Sequence, residues 1–331
     1  MSASYIVFIW ILNHILSYSS LCQTRGYHFR VSYFWPFFKT LVTLSDRSFI
    51  SFPNRDEAVN FAIQKGLDAS RSKVKYFKHN DVQHLEQLLE QQDLEDAKNP
   101  KLAATTRKFI IVEGIYFNTG EIVPLPALIV LKKKFKIRLF IDESVSFGVL
   151  GKTGKGVSEF FQVEISDIDL IMGTLENALG SIGGFCVGTS YVIEHQTLAG
   201  IGYLFSASLP PMLASGAFKA LELLENNTEW MAKLAGKCQF AHRAFVNLPG
   251  MILQGRDISP VKHLRLADYK TLPRSQQSDL LTKLVMKARG QGLALVKSAY
   301  LEDQEIHCPY PSIRLTVSLV RLTATSEASL P

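Results

Sequence analysis

The spacing of apolar positions sets the reading of this chain from residue 56 onward. In Asp56–Gly66 (DEAVNFAIQKG), Ala58, Phe61, Ala62 and Ile63 fall near one helical face and a glycine follows, the mark of a helix with a C-terminal stop. VKYF at 74–77 has the length of a short strand. Asp81 then stands as an N-cap before HLEQLLEQQDLEDAKN, where Val82, Leu85, Leu88 and Leu89 form the buried stripe and the pattern stops before Pro100. Between the helical windows lie continuous apolar runs of strand length: FIIVEG at 109–114, RLFID at 138–142 and IDLIM at 168–172. Pro126–Lys136 reads as a helix, and Lys132, Lys133, Lys134 and Lys136 make its end a solvated charge run. Apolar strands separated by helices predict a mostly parallel sheet covered on both faces. Ligands of such sheets sit beyond the carboxyl ends of the strands. Function is therefore expected in Glu113–Gly120, Asp142–Gly156 and Gly173–Gly184.

After the SASLPP turn at 206–211, a long helix is predicted over Leu213–Glu225, and 229–247 and 275–290 read as amphipathic helices. SIRLTVSLV at 312–320 alternates, with Ile313, Leu315, Val317 and Leu319 on one face, as a half-exposed strand does. The expected organisation is an aromatic-rich head at 1–51, a large α/β domain at 52–211, and a smaller C-terminal α+β domain at 212–331.

Composition narrows the function classes. With 47% hydrophobic and 20% charged residues, the 331-residue chain is a globular one. Its four cysteines, at 22, 186, 238 and 308, show no paired metal-ligand spacing, so reduced, cytosol-facing thiols are expected rather than a zinc module or a disulfide scaffold. The net charge of +6 invites a nucleic-acid reading, but its distribution argues against one. Arg25, Arg30, Lys39 and Arg47 against Asp46 alone place half of that excess before residue 51. The remaining 32 of 36 basic and 29 of 30 acidic residues leave no basic face, and no nucleic-acid partner is expected.

The head holds 12 aromatic residues. Its apolar run YIVFIWIL, Tyr5–Leu12, falls short of the roughly 20 residues a spanning helix needs. No basic n-region or small-residue cleavage site is clear. Three readings stay open: a membrane-surface or re-entrant segment using the aromatics around Tyr33–Phe38, a signal or anchor, or a stretch without a native structural role.

Asp142 directly follows the strand RLFI. A carboxylate there can hold a protonated ring nitrogen, because low dielectric strengthens the ion pair; it can equally serve as a loop or cap carboxylate. Gly148, Gly151, Gly154 and Gly156 permit a tight loop, but they match neither G-x-G-x-x-G after a strand nor a P-loop. Thr174 follows IDLIM and can offer its hydroxyl to a phosphate.

Four ordered blocks, EGIYFNTGEIVPLPAL, IDESVSFGVLGKTGKGV, DLIMGTLENALGSIGGFCVG and YLFSASLPP, together resemble the α-oxoamine synthase family of pyridoxal-phosphate enzymes. FAIQKGLDASRS, YFKHND and PSIRLTV narrow the resemblance to its non-catalytic type of subunit. The likeness covers about residues 52–320 and stops at the head and at TATSEASLP, so the family's usual N-terminal region and last helix are expected to be missing. Lost strands would leave a sheet edge uncovered.

The resemblance implies a fold type I pyridoxal-phosphate transferase: a mostly parallel sheet with helices on both faces and a smaller C-terminal α+β domain. It implies that Asp142 matches the aspartate that pairs with the coenzyme's pyridine nitrogen. Val145 stands where catalytic members carry a histidine, and Asn177, in TLENALG, where they carry the Schiff-base lysine. An amide nitrogen is delocalised into its carbonyl and cannot act as that amine nucleophile. Ser206 and Ser208 become candidates to reach a phosphate in a partner across a dimer interface, with a helix N-cap as the alternative, while Asn177 is otherwise an ordinary interface amide. The implied activity is that of a heteromer condensing serine with a long-chain acyl-CoA, in which a catalytic partner subunit holds pyridoxal phosphate covalently. The implied location is the endoplasmic reticulum membrane, with the globular part facing the cytosol. Two other classes remain open: an independent pyridoxal-phosphate enzyme using Lys152 or Lys155, and a non-enzymatic or non-assembling fragment.

Overall fold

Each strand of the computed structural model can be traced to a local cause. The structure describes residues 27–32, 51–70, 72–189, 192–194, 196, 209–305 and 307–319. They pack as two units. One takes the chain up to Gly114 together with Val123–Asn227, and the other Ile115–Ile122 with the chain from Thr228 onward.

The first unit is built on β1 (Tyr27–Ser32), β2 (Ser51–Asp56), α1 (Phe61–Ser70), β3 (Lys75–Phe77), α2 (Val82–Lys98), α3 (Pro100–Thr105), β4 (Arg107–Glu113), α4 (Leu125–Phe135), β5 (Arg138–Asp142), α5 (Val157–Phe160), β6 (Leu170–Thr174), β7 (Gly184–Thr189) and α6 (Pro211–Asn226). Its seven-stranded sheet has the order β1-β7-β6-β5-β4-β2-β3. Strands β2 to β6 pair in parallel and β7 runs antiparallel to β6. Ile110, Ile111, Val112, Leu139, Phe140 and Ile141 are fully buried, as continuous apolar runs in a doubly covered sheet should be.

The expected Asp81 cap is present: its carboxylate accepts from His84 N at 2.8 Å. Pro100 does not only end α2 but opens α3 as its first residue, where its missing N–H costs nothing. The lysine run at the end of α4 is tied down by carboxylates, Lys132 to Asp169 at 2.6 Å, Lys133 to Asp167 at 2.9 Å and Lys134 to Glu86 at 2.6 Å.

Two expectations need correction. The predicted helix over Asp56–Gly66 begins only at Phe61, because buried Asp56 ends β2 and accepts from Ala58 N and Asn80 N, and it continues through Gly66 to Ser70. Strand β1 lies within the aromatic head and pairs antiparallel with β7 from Tyr27↔Thr189 to Ser32↔Gly184. That pairing covers the outer side of β7, whose N–H and C=O groups another segment can satisfy, and leaves β1 and β3 as the outer strands among the described residues. YIVFIWIL, Tyr33–Phe38 and TATSEASLP lie outside the described residues. Among the described residues, no helix is long and apolar enough to cross a membrane.

The second unit continues with α7 (Glu229–Phe245), β8 (Met251–Gln254), β9 (Val261–Leu266), α8 (Arg274–Gly290), β10 (Val296–Lys297) and β11 (Ile313–Thr316). Its antiparallel sheet has the order β10-β11-β9-β8. Leu264, Leu281 and Ile313 centre its core. The segment Ile115–Ile122 closes on itself through a bridge between its two ends.

Candidate functional site

Parallel pairing sets the ends of β4 and β5 side by side, so Glu113 and Asp142 are partners in register and Asp142 faces Met172 of β6. Both carboxylates are 1% exposed. A buried carboxylate needs donors. Asp142 Oδ1 accepts from Ser144 N at 2.8 Å and its Oδ2 from Asn60 Nδ2 at 3.2 Å. Burial pushes the Asp142 carboxyl up to about 7, against the hydrogen bonds from Ser144 and Asn60 that favour its charged form.

Asn60 joins three elements. Its backbone N donates to Glu113 Oε1 at 2.5 Å, its Nδ2 reaches Asp142, and its Oδ1 accepts from Ile63 N at 3.1 Å as the N-cap of α1. Ser144 is a second hub. Beyond its bond to Asp142, its Oγ accepts from Thr174 N at 3.1 Å and its carbonyl from Asn177 Nδ2 at 2.8 Å.

The residues singled out by sequence thus divide. Asp142, Thr174 and Asn177 are brought together through Ser144. The Thr174 hydroxyl closes its own turn, donating to Gly183 O at 3.2 Å and accepting from Glu176 N at 3.2 Å. Asn177 is exposed and Val145 is buried. Ser206 and Ser208 lie outside the described residues. Among the described residues, no group of His, Cys, Asp and Glu could hold a metal ion.

The glycine loop after β5 is filled by the chain's own carboxylates. Glu159 accepts from Thr153 N at 3.1 Å, Thr153 Oγ1 at 3.0 Å and Lys155 N at 3.0 Å. Buried Glu143 accepts from Val157 N at 3.0 Å and from the Ser146 hydroxyl. Burial raises the Glu143 carboxyl to about 7, with neighbouring Asp142 adding to the rise. Convergent backbone donors of this kind make an anion nest, and here the anion is internal. Lys152 and Lys155 are exposed on this loop.

Glu113, Glu143, Ser144 and Asn60 were not singled out from sequence. The first three sit at the very strand ends where ligands gather. Asn60 carried only the general preference of asparagine for helix N-caps.

Comparison with known proteins follows from this geometry. Residues 59–272 match the aminotransferase class I and II family. Serine palmitoyltransferase 1 of Dictyostelium discoideum is 40% identical over 269 residues, 80% of this chain and 55% of its own length. A solved serine palmitoyltransferase from Sphingomonas wittichii superposes with a TM-score of 0.71 at 23% identity, covering 88% of this chain and 67% of that one. A second, described as carrying a pyridoxal-phosphate internal aldimine, gives 0.70 at 21% identity, over 96% and 72%. The two solved chains establish the expected pyridoxal-phosphate transferase fold. The chain spans about half the length of the curated relatives it matches.

Proposed function

This chain belongs to the aminotransferase class I and II family, and from that premise we propose that it is the non-catalytic subunit of a heteromeric serine C-palmitoyltransferase. The complex would condense L-serine with palmitoyl-CoA to 3-ketosphinganine. The observation that carries the reading is Asn177: in TLENALG, where the resemblance puts the catalytic lysine, the chain has an amide that donates to the Ser144 carbonyl. The similarity to serine palmitoyltransferase 1 supports the choice of reaction.

Pyridoxal phosphate, when bound, supplies an electron sink for a carbanion. The residues at this strand-end site do not fit it. Asp142 has the carboxylate a ring nitrogen needs, but it is 1% exposed and its oxygens already accept from Asn60 Nδ2 and Ser144 N. The Thr174 hydroxyl is engaged by its own turn, Val145 offers no ring to stack, and Asn177 offers no amine. The coenzyme therefore belongs on the catalytic partner, and this chain completes the interface without performing a step. In this reading Ser206 and Ser208 donate to the phosphate in the partner's site, and the assembly sits at the endoplasmic reticulum membrane with its globular part facing the cytosol.

Co-expression with a catalytic serine palmitoyltransferase subunit tests this. The chain is expected to co-purify with that subunit and to raise condensation activity above that of the partner alone. Failure of both rules out the subunit role.

A further inference from the structure

Two buried carboxylates side by side are costly unless each finds donors or a cation. Glu113 and Asp142 stand in that relation at the ends of β4 and β5, and a single residue serves both. Asn60 gives its backbone N–H to Glu113 and its side-chain amide to Asp142, and the same side chain's oxygen caps α1. The remaining Asp142 oxygen accepts from Ser144 N, so each oxygen holds a donor from within the chain. Ser144 in turn holds Thr174 and Asn177.

We propose that Asn60 stands in for a bound ring cation as the partner of Asp142, closing this chain's own strand-end site to pyridine-type coenzymes and letting the chain fold without one. The proposal rests on the non-catalytic reading above and adds a cause beyond the missing lysine. A ring nitrogen would have to approach Oδ2 past the Asn60 amide and enter a place where Asp142 is 1% exposed. Making that room means moving the Asn60 side chain, whose oxygen caps α1, so binding would cost the cap as well as the amide's bond to Asp142. A neutral amide satisfies the geometry of the carboxylate without neutralising it, consistent with burial keeping the Asp142 carboxyl high.

Equilibrium dialysis of the full-length chain against pyridoxine 5′-phosphate tests this. That probe keeps the ring and phosphate but has no aldehyde, so surface lysines cannot capture it. Asn60→Ser keeps a side-chain acceptor for Ile63 N but is too short to reach Asp142. The unaltered chain should retain the probe at background, and Asn60→Ser should retain it at least tenfold more strongly, a gain that Asp142→Asn abolishes. A purely structural role for Asn60 would give no such gain. Stoichiometric retention by the unaltered chain, or no gain in the variant, overturns the proposal. Should the variant not fold, the unaltered chain decides: a melting temperature unmoved by saturating probe supports closure, and a rise overturns it. Co-purification with the catalytic partner is a separate readout, so loss of the subunit role leaves the dialysis result standing.

Discussion

Asp142 and Glu143 show what burial does to neighbouring carboxylates. Both are raised to about 7 in the folded chain, against roughly 4 in an unfolded one. The folded state therefore binds more protons between those values. Stability from these two groups is fully present below about pH 4 and is lost as pH rises through 7. His263 opposes the trend at acid pH, because burial lowers its pKa to about 4, so the informative quantity is a difference between variants. Comparing pH 5.5 with pH 8 by thermal melting, Asp142→Asn should flatten the alkaline loss by an amount on the order of a few kcal/mol. An unchanged slope would mean that Asp142 is not buried as a carboxyl group. Glycines give a second residue-level contrast. Gly156 has φ +87 and a Cβ there would run into the Glu143 carboxylate, so Gly156→Ala should cost about 2 kcal/mol or more in denaturant titration. Gly236, inside α7 with nothing near its added Cβ, should gain roughly 0.5–1 kcal/mol as alanine.

Among the elements, β4 and β5 were readable because strands buried on both faces are apolar throughout, and α2 because its stripe and cap agree. Strand β2 was not readable. Its sequence SFPNRD contains a proline and four polar residues, yet Asn54, Arg55 and Asp56 are all buried. Tertiary partners make this possible: Asn54 Nδ2 donates to Phe109 O, Arg55 stacks on the Tyr76 ring at 4.6 Å, and His79 Nδ1 lies 2.9 Å from Asp56 Oδ1. Hydropathy cannot flag a strand whose burial depends on residues 21 to 55 positions away. Strand β1 was hidden for a related reason, since its place is set by the open side of β7 rather than by its own pattern. Replacing Tyr27–Ser32 with a glycine–serine stretch should expose that edge and promote self-association, read by size-exclusion chromatography. A variant that stays as monomeric as the unaltered chain would show that β1 does not protect the edge.

For the whole molecule, the family was legible along the chain, and so was the amide at position 177. Motif order and residue identity are local properties: Asn177 is an amide wherever it sits, and four blocks in sequence specify one architecture. The candidate site itself was legible only at Asp142, Thr174 and Asn177. What joins them is Ser144, and what closes them is Asn60, 82 positions from Asp142. Only the tertiary structure decided that the glycine loop holds Glu159 and Glu143 in place of an outside anion, and that Asn60 satisfies two strand-end carboxylates at once. The physical reason is that parallel strands bring their ends together through long crossovers, so the donors of a buried carboxylate come from segments whose own periodicity carries no trace of it.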